Sequence, residues 1–205
     1  MEDDSVRLIE AWFAEHDGDG EFVRLPKSAP WTVIAPNSPT ASVILTTKPA
    51  IVAMALHQSD LPNKLGMVRR YGLPGTHDVS WIRQVVGQGE MLFLGDLDPV
   101  DLMVFSWLRT QLQPTPTHYL GINDTFLSVL QLAVPKSHTL ASAPSEQAAL
   151  ALLPKILPEL PELVGPQCAD LLSRGRKIEL DAVVSLCHSA APIVQAALTF
   201  GTSAH

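Results

Sequence analysis

Residues 89–109 read GEMLFLGDLDPVDLMVFSWLR, a stretch in which an apolar run meets a helix through an acidic turn. Met91 to Leu94 is short, continuously apolar and bounded by glycines, the pattern of a buried strand. Pro99 suits the first position of a helix, because its φ is already set and the N–H it lacks would have no partner there. Val100, Met103, Val104, Trp107 and Leu108 then recur at i, i+3, i+4, i+7 and i+8, so the spacing predicts a helix over 99–112 with one apolar stripe.

The flanks repeat the pattern. ASVILTT (41–47) reads as a strand and KPAIVAMALHQ (48–58) as a helix with Pro49 in its first turn. GMVRRYG (66–72) is a second strand, and HDVSWIRQVVGQ (77–88) is a helix with Val79, Ile82, Val85 and Val86 on one face. THYLGI (117–122) follows as the fourth strand and DTFLSVLQLAV (124–134) as the fourth helix. Strands alternating with helices through short loops imply a mainly parallel four-stranded α/β sheet flanked by helices.

Two other regions frame this unit. Residues 1–40 read as an N-terminal extension, with an amphipathic helix in SVRLIEAWFAEH and then a proline-rich run that suits edge strands or an extended arm. Within it DGDGE (17–21) is a surface turn, because Phe22 and Ser28 stand where a calcium loop needs its glycine and its bidentate glutamate. Residues 137–205 read as a helical segment packed on the 41–136 domain. There Ser145 opens a capping-box spacing ahead of helix formers, and GRKIELDAVVSLCHSAAPIVQAAL closes the chain as one or two helices.

Composition narrows the function classes. The formal net charge is −7, whereas a chain that holds DNA by itself shows a basic stripe that neutralises phosphates. Arg69-Arg70 and SRGRK (173–177) read as solvated surface, so any nucleic acid is expected through a partner subunit. No apolar run approaches the roughly 20 residues of a membrane span, and the acidic start is unlike a secretory signal. Two cysteines do not make a disulfide framework. A cytoplasmic protein is the expectation. The histidines show no ligand spacing, and no phosphate-binding glycine loop occurs.

The acidic turn carries the chemistry. In an open parallel sheet, ligands bind beyond the carboxyl ends of the strands. Asp96 and Asp98 stand at such an end, and side chains two residues apart on an extended segment point the same way. Oxygen-only ligands suit magnesium, which can stabilise attacking and leaving oxygens in phosphoryl transfer. A structural reading fits equally: Asp98 caps the helix ahead of Pro99, and Asp101 sits in the first turn, where the helix dipole favours negative charge. From spacing alone both readings stand, with Asp96 the residue that the cap leaves over.

FLGDLDP at the end of the third strand resembles the DxD motif of the Toprim domain, in particular the branch holding the topoisomerase VI A subunit and the Wadjet-type nuclease subunit. RRYGLPG (69–75), YLGINDTFL (119–127) and GRKIELDAV (175–183) resemble further segments of that branch in order. The resemblance implies a Toprim-like fold over about 41–185, a DNA-associated function, and Asp96 and Asp98 as magnesium ligands. It brings in Asp124 and Glu179 as candidate additional acids, beside Asp101 of the turn itself. It also implies a glutamate at the end of the first strand, where this chain has Thr46 and Thr47. A hydroxyl neither carries the charge to hold a divalent ion nor titrates near neutrality. Glu90, Asp124 and Glu179 are the acids to examine for the missing glutamate's place. Tyr71 and Tyr119 fall on strands and read as core rather than as nucleophiles.

The expectation is therefore a Toprim-like protein with a degenerate active site, weak Mg2+ binding and catalysis impaired or dependent on a partner. A non-enzymatic assembly subunit is the alternative, with LPKILPELPELVG (153–165) offering an apolar face to a partner or a second copy. A haloacid dehalogenase-like phosphatase ranks lower. GDLDPVD fits its late acidic motif, but VILTTKPA holds no nucleophilic aspartate.

Overall fold

The computed structural model describes residues 4–16, 32–34, 38–57, 65–69, 73–75, 77–134 and 136–201. The stretch 17–21 and residues Arg70 and Tyr71, which the sequence reading singled out, lie outside them.

The four expected strands form one sheet. They are β2 (Val43–Thr46), β3 (Gly66–Arg69), β4 (Met91–Leu94) and β5 (Thr117–Tyr119), all parallel, in the order β3-β2-β4-β5. A fifth strand, β1 (Thr32–Ile34), pairs antiparallel with β3 and makes the edge. It comes from the proline-rich N-terminal stretch, where an edge position is the one such a sequence tolerates. β2 and β4 lie in the middle and are buried along their whole length. That is why VILT and MLFL read as unbroken apolar runs rather than alternating ones.

The expected helices follow their strands: α2 (Pro49–His57), α3 (Asp78–Val86), α4 (Pro99–Gln111) and α5 (Asp124–Val129). α4 departs from the predicted single stripe. Every residue from Pro99 to Leu108 is buried, including Leu102 and Ser106 on the face expected to meet water, while Phe105 packs towards the sheet against Phe93 and Tyr119. Cover comes from α1 (Asp4–Glu15) and α6 (Pro144–Ile156), which both pack against α4. Trp107 Nε1 donates to Glu10 Oε1 of α1 at 3.0 Å, and Ser106 Oγ donates to the Ile156 carbonyl at 3.0 Å. A helix that is apolar all round is a buried helix. Each large side chain it removes from water contributes about 1.5–3 kcal/mol.

α5 stops before the predicted Val134. Gln131 turns left-handed at φ 55°, with its N–H on the Ser128 carbonyl and the Leu132 N–H on the Leu127 carbonyl. This pair of bonds closes the helix as a Schellman motif.

The C-terminal part adds α7 (Leu160–Val164), α8 (Pro166–Ser173), α9 (Leu180–Cys187) and α10 (Ala191–Gly201). α6 starts one residue before Ser145. Pro144 is its first residue, and Glu146 Oε2 accepts from the Ala143 N–H at 2.7 Å, the glutamate half of a capping box. Ile156, Leu157 and Val164 are buried, and Leu160 and Leu163 pack against the same core. The apolar side chains of LPKILPELPELVG thus serve the interior.

GRKIELDAV is not helical from its start. Gly175 turns at φ 66°, and β7 (Arg176–Lys177) pairs antiparallel with β6 (Leu140–Ala141). Ile178 then exchanges both backbone hydrogen bonds with Leu97, at 2.9 and 3.2 Å. Residues far apart in sequence are thereby fastened directly onto the acidic turn.

Candidate metal centre

β2 and β4 run parallel with Thr46 opposite Leu94. Continuing that register past the strand ends sets Lys48 opposite Asp96. The two side chains meet there, Lys48 Nζ lying 2.7 Å from Asp96 Oδ2. Leu180, at the start of α9, donates its N–H to the other oxygen, Asp96 Oδ1, at 2.7 Å. Tyr119 donates its hydroxyl to the Asp96 carbonyl at 3.1 Å. Its role is to hold the turn from inside the core, the structural part expected of it.

Asp98 is extended (φ −139°, ψ 158°) and caps α4, accepting the Asp101 N–H at 2.7 Å. Asp101 folds back over the turn. Its Oδ2 accepts the Asp96 N–H at 2.7 Å and the Thr47 hydroxyl at 2.8 Å. Gly95 makes room for this, since a Cβ there would stand 2.5 Å from Asp101 Oδ2 and 2.7 Å from the Phe93 ring. Thr46 is fully buried, and its Oγ1 accepts the Lys48 N–H at 3.0 Å. Both threonines therefore act as turn-forming hydroxyls.

Asp96, Asp98 and Asp101 are all buried, and one oxygen of each lies within 4.8 Å of the others. A buried acidic cluster of this kind can hold a metal ion. Its donor chemistry, all hard oxygen, is right for magnesium. The arrangement of those donors fits a resident ion poorly, because both Asp96 oxygens and Asp101 Oδ2 are already engaged by protein donors.

The charges follow from burial. Asp96 is pushed up to about 7, first by loss of water and then by the neighbouring Asp98, against the pull of Lys48 and the Leu180 N–H. Burial also raises Asp98, with its capping N–H bonds pulling the other way. Asp101 stands well above the usual carboxylate range, raised by burial and by both other aspartates. Burial alone would lower Lys48, yet the Asp96 carboxylate outweighs it and the ammonium is held more firmly than usual. The site thus pairs one firm cation with three crowded acids, and Asp101 is the acid best placed to keep its proton.

The other candidate acids lie elsewhere. Asp124 begins α5, but its carboxylate caps α8, accepting from Gln167 N–H at 2.8 Å and Cys168 N–H at 2.9 Å. Gly165, at φ 84°, leaves the space that this carboxylate fills. Glu90 precedes β4 at the opposite end of the sheet, where it accepts from Ser42 Oγ at 2.8 Å and lies 3.2 Å from His118 Nε2. Glu179 comes to the rim of the site, 3.9 Å from Lys48 Nζ and 3.6 Å from Lys177 Nζ. None of the three takes the place opposite Asp96; Lys48 does.

Lys48 and Asp181, 3.4 Å apart, escaped the sequence reading. The signal for Lys48 lay in the strand register, counted two residues beyond Thr46. Of SRGRK, Arg176 donates to Thr139 and Lys177 meets Glu146 at 2.6 Å, while Arg174 lies on the surface, 2.8 Å from the exposed Asp170.

No protein-family model matches the chain, and no curated protein matches it. No helix among the described residues is long and apolar enough to cross a membrane.

Proposed function

We propose that this chain is a Toprim-like protein that acts with DNA as a catalytically impaired subunit, dependent on a partner for nucleic-acid grip. What carries the reading is the meeting of the β2 and β4 ends, where Lys48 meets Asp96 and Thr47 meets Asp101 beside the capping Asp98. The resemblance sets a DxD pair at the second of these ends and a glutamate at the first. Here a hydroxyl and an ammonium stand instead, and neither can act as a general base near neutrality with its proton held so firmly.

The resemblance would make Asp96 and Asp98 the Mg2+ ligands, a role opposed here by the Lys48 ammonium and the Leu180 N–H on Asp96. Asp101 and Glu179 would support them from the turn and the rim. The net charge of −7 and the pairing of Arg176 with Thr139 and Lys177 with Glu146 support a grip on DNA that comes from another subunit or a second copy. A cytoplasmic setting accords with that role. The second reading, a non-enzymatic assembly subunit, is favoured by the saturation of Asp96 with protein donors.

Crosslinking in the native cell, followed by recovery of DNA with the tagged chain, tests the proposal. DNA enriched over an untagged control is expected, while the purified chain with millimolar Mg2+ or Mn2+ leaves supercoiled plasmid intact. Absence of enrichment defeats DNA association. Efficient nicking by the purified chain defeats impairment.

A further inference from the structure

We propose that the Lys48 ammonium is the resident cation of the acidic site, standing where a divalent ion would stand and fastening the C-terminal segment to the sheet. Its partners converge from two elements. Asp96 comes from the turn after β4, at 2.7 Å, and Asp181 and Glu179 come from the start of α9, at 3.4 and 3.9 Å. Leu180, between those two acids, donates its N–H to the free side of the Asp96 carboxylate. Lys48 and Leu180 together therefore saturate Asp96, and the same contacts hold the beginning of α9 against the strand ends.

A divalent ion coordinates carboxylate oxygen at roughly 2.0–2.6 Å. Bound to Asp96 Oδ2, it would sit beside an ammonium 2.7 Å from the same atom. At such separations two cations repel strongly, and more so in a site shielded from water. Ion and ammonium exclude one another. The ammonium differs from the ion it replaces, because it donates hydrogen bonds and has no coordination positions to offer a phosphate. A tethered charge also needs no free ion concentration. The strand-end site thus becomes a permanent internal clamp.

This inference stands on the contacts alone and not on the family likeness, so loss of the DNA result would leave it intact, and the reverse. Mn2+ binding by electron paramagnetic resonance on the whole chain tests it, comparing the wild type with Lys48→Met and Lys48→Arg. Lys48→Met is expected to bind Mn2+ at least about tenfold more tightly than the wild type or Lys48→Arg, since it frees Asp96 of its cation. Mg2+ is then expected to raise the melting temperature of Lys48→Met and to leave the wild type unchanged. Equal Mn2+ affinity in wild type and Lys48→Met overturns the proposal, as does absence of binding in both. Should Lys48→Met fold poorly, acylation of amines in the wild type, read by mass spectrometry, decides. Lys48 is expected to react more slowly than the exposed Lys155, and reaction at an equal rate overturns the clamp.

Discussion

Thr47 Oγ1 donates to Asp101 Oδ2 at 2.8 Å, tying the end of β2 to the first turn of α4 across 54 residues of sequence. Both groups are buried. Removing the hydroxyl leaves Asp101 one donor short without relieving its burial. Thr47→Val is therefore expected to lower stability by about 1–3 kcal/mol, and Thr47→Ser by clearly less. Urea unfolding of the three proteins measures this. Equal midpoints for valine and serine would show that the hydroxyl is dispensable.

Gly95 is needed for space rather than for an unusual backbone angle. A methyl there meets both Asp101 Oδ2 and the Phe93 ring under 3 Å. Neither can move freely, since Phe93 is fully buried and Asp101 is held by two donors. Gly95→Ala is expected to cost about 1–3 kcal/mol by overpacking. Combined with Thr47→Val it should cost less than the sum, because both disturb the same Asp101 carboxylate.

Asp101 offers a test of the proton's location. Its folded pKa lies well above the ordinary 3.8, as does that of Asp96 at about 7. An acid raised on folding binds its proton more tightly in the native state. Its contribution to stability is complete below the unfolded pKa and is lost as pH rises through the folded value. These carboxyls therefore make the wild type lose stability as pH rises from about 4 towards the folded value of Asp96 at about 7. Asn imitates a protonated acid, keeping an oxygen for the Thr47 hydroxyl and the Asp96 N–H. Asp101→Asn is expected to match the wild type within about 1 kcal/mol near pH 5 and to surpass it at pH 8. Melting temperatures across that range decide; a variant that is strongly destabilised at pH 5 would mean that Asp101 is ionised there.

Much of this fold was legible because its signals are local. Apolar runs at 43–46 and 91–94, glycine boundaries and the 3.6-residue stripes locate the parallel strands and their helices before any contact is known. The Asp98 cap was legible for the same reason. What escaped depends on distant pairing. Nothing around Arg176–Lys177 announces a strand, because its partner lies at Leu140–Ala141, and the Leu97–Ile178 bridge joins segments 81 residues apart. The outer face of α4 looked solvent-facing until α1 and α6 covered it. Lys48 carries no local mark, because the resemblance expects an acid at Thr46 or Thr47 and a lysine after a strand is ordinary surface chemistry. The charge that answers Asp96 lies one residue beyond.

The Lys48–Asp96 pair has a further consequence in a double-mutant cycle. Asp96→Asn turns an amide towards the ammonium and leaves it with Glu179 and Asp181 at longer range. Lys48→Met leaves a carboxylate that is only 3 % exposed without its cation. Each single change abandons one charge, which in fully buried pairs costs about 3–5 kcal/mol; Lys48 keeps some contact with water, so about 2–3 kcal/mol is expected here. The double variant removes both charges together and is expected to be more stable than the sum of the two losses implies, by at least about 1 kcal/mol. Thermal or urea unfolding in metal-free buffer measures all four corners. Strict additivity would show that Lys48 and Asp96 are neighbours without an energetic bond, and would leave the hold on α9 to the Leu180 N–H alone.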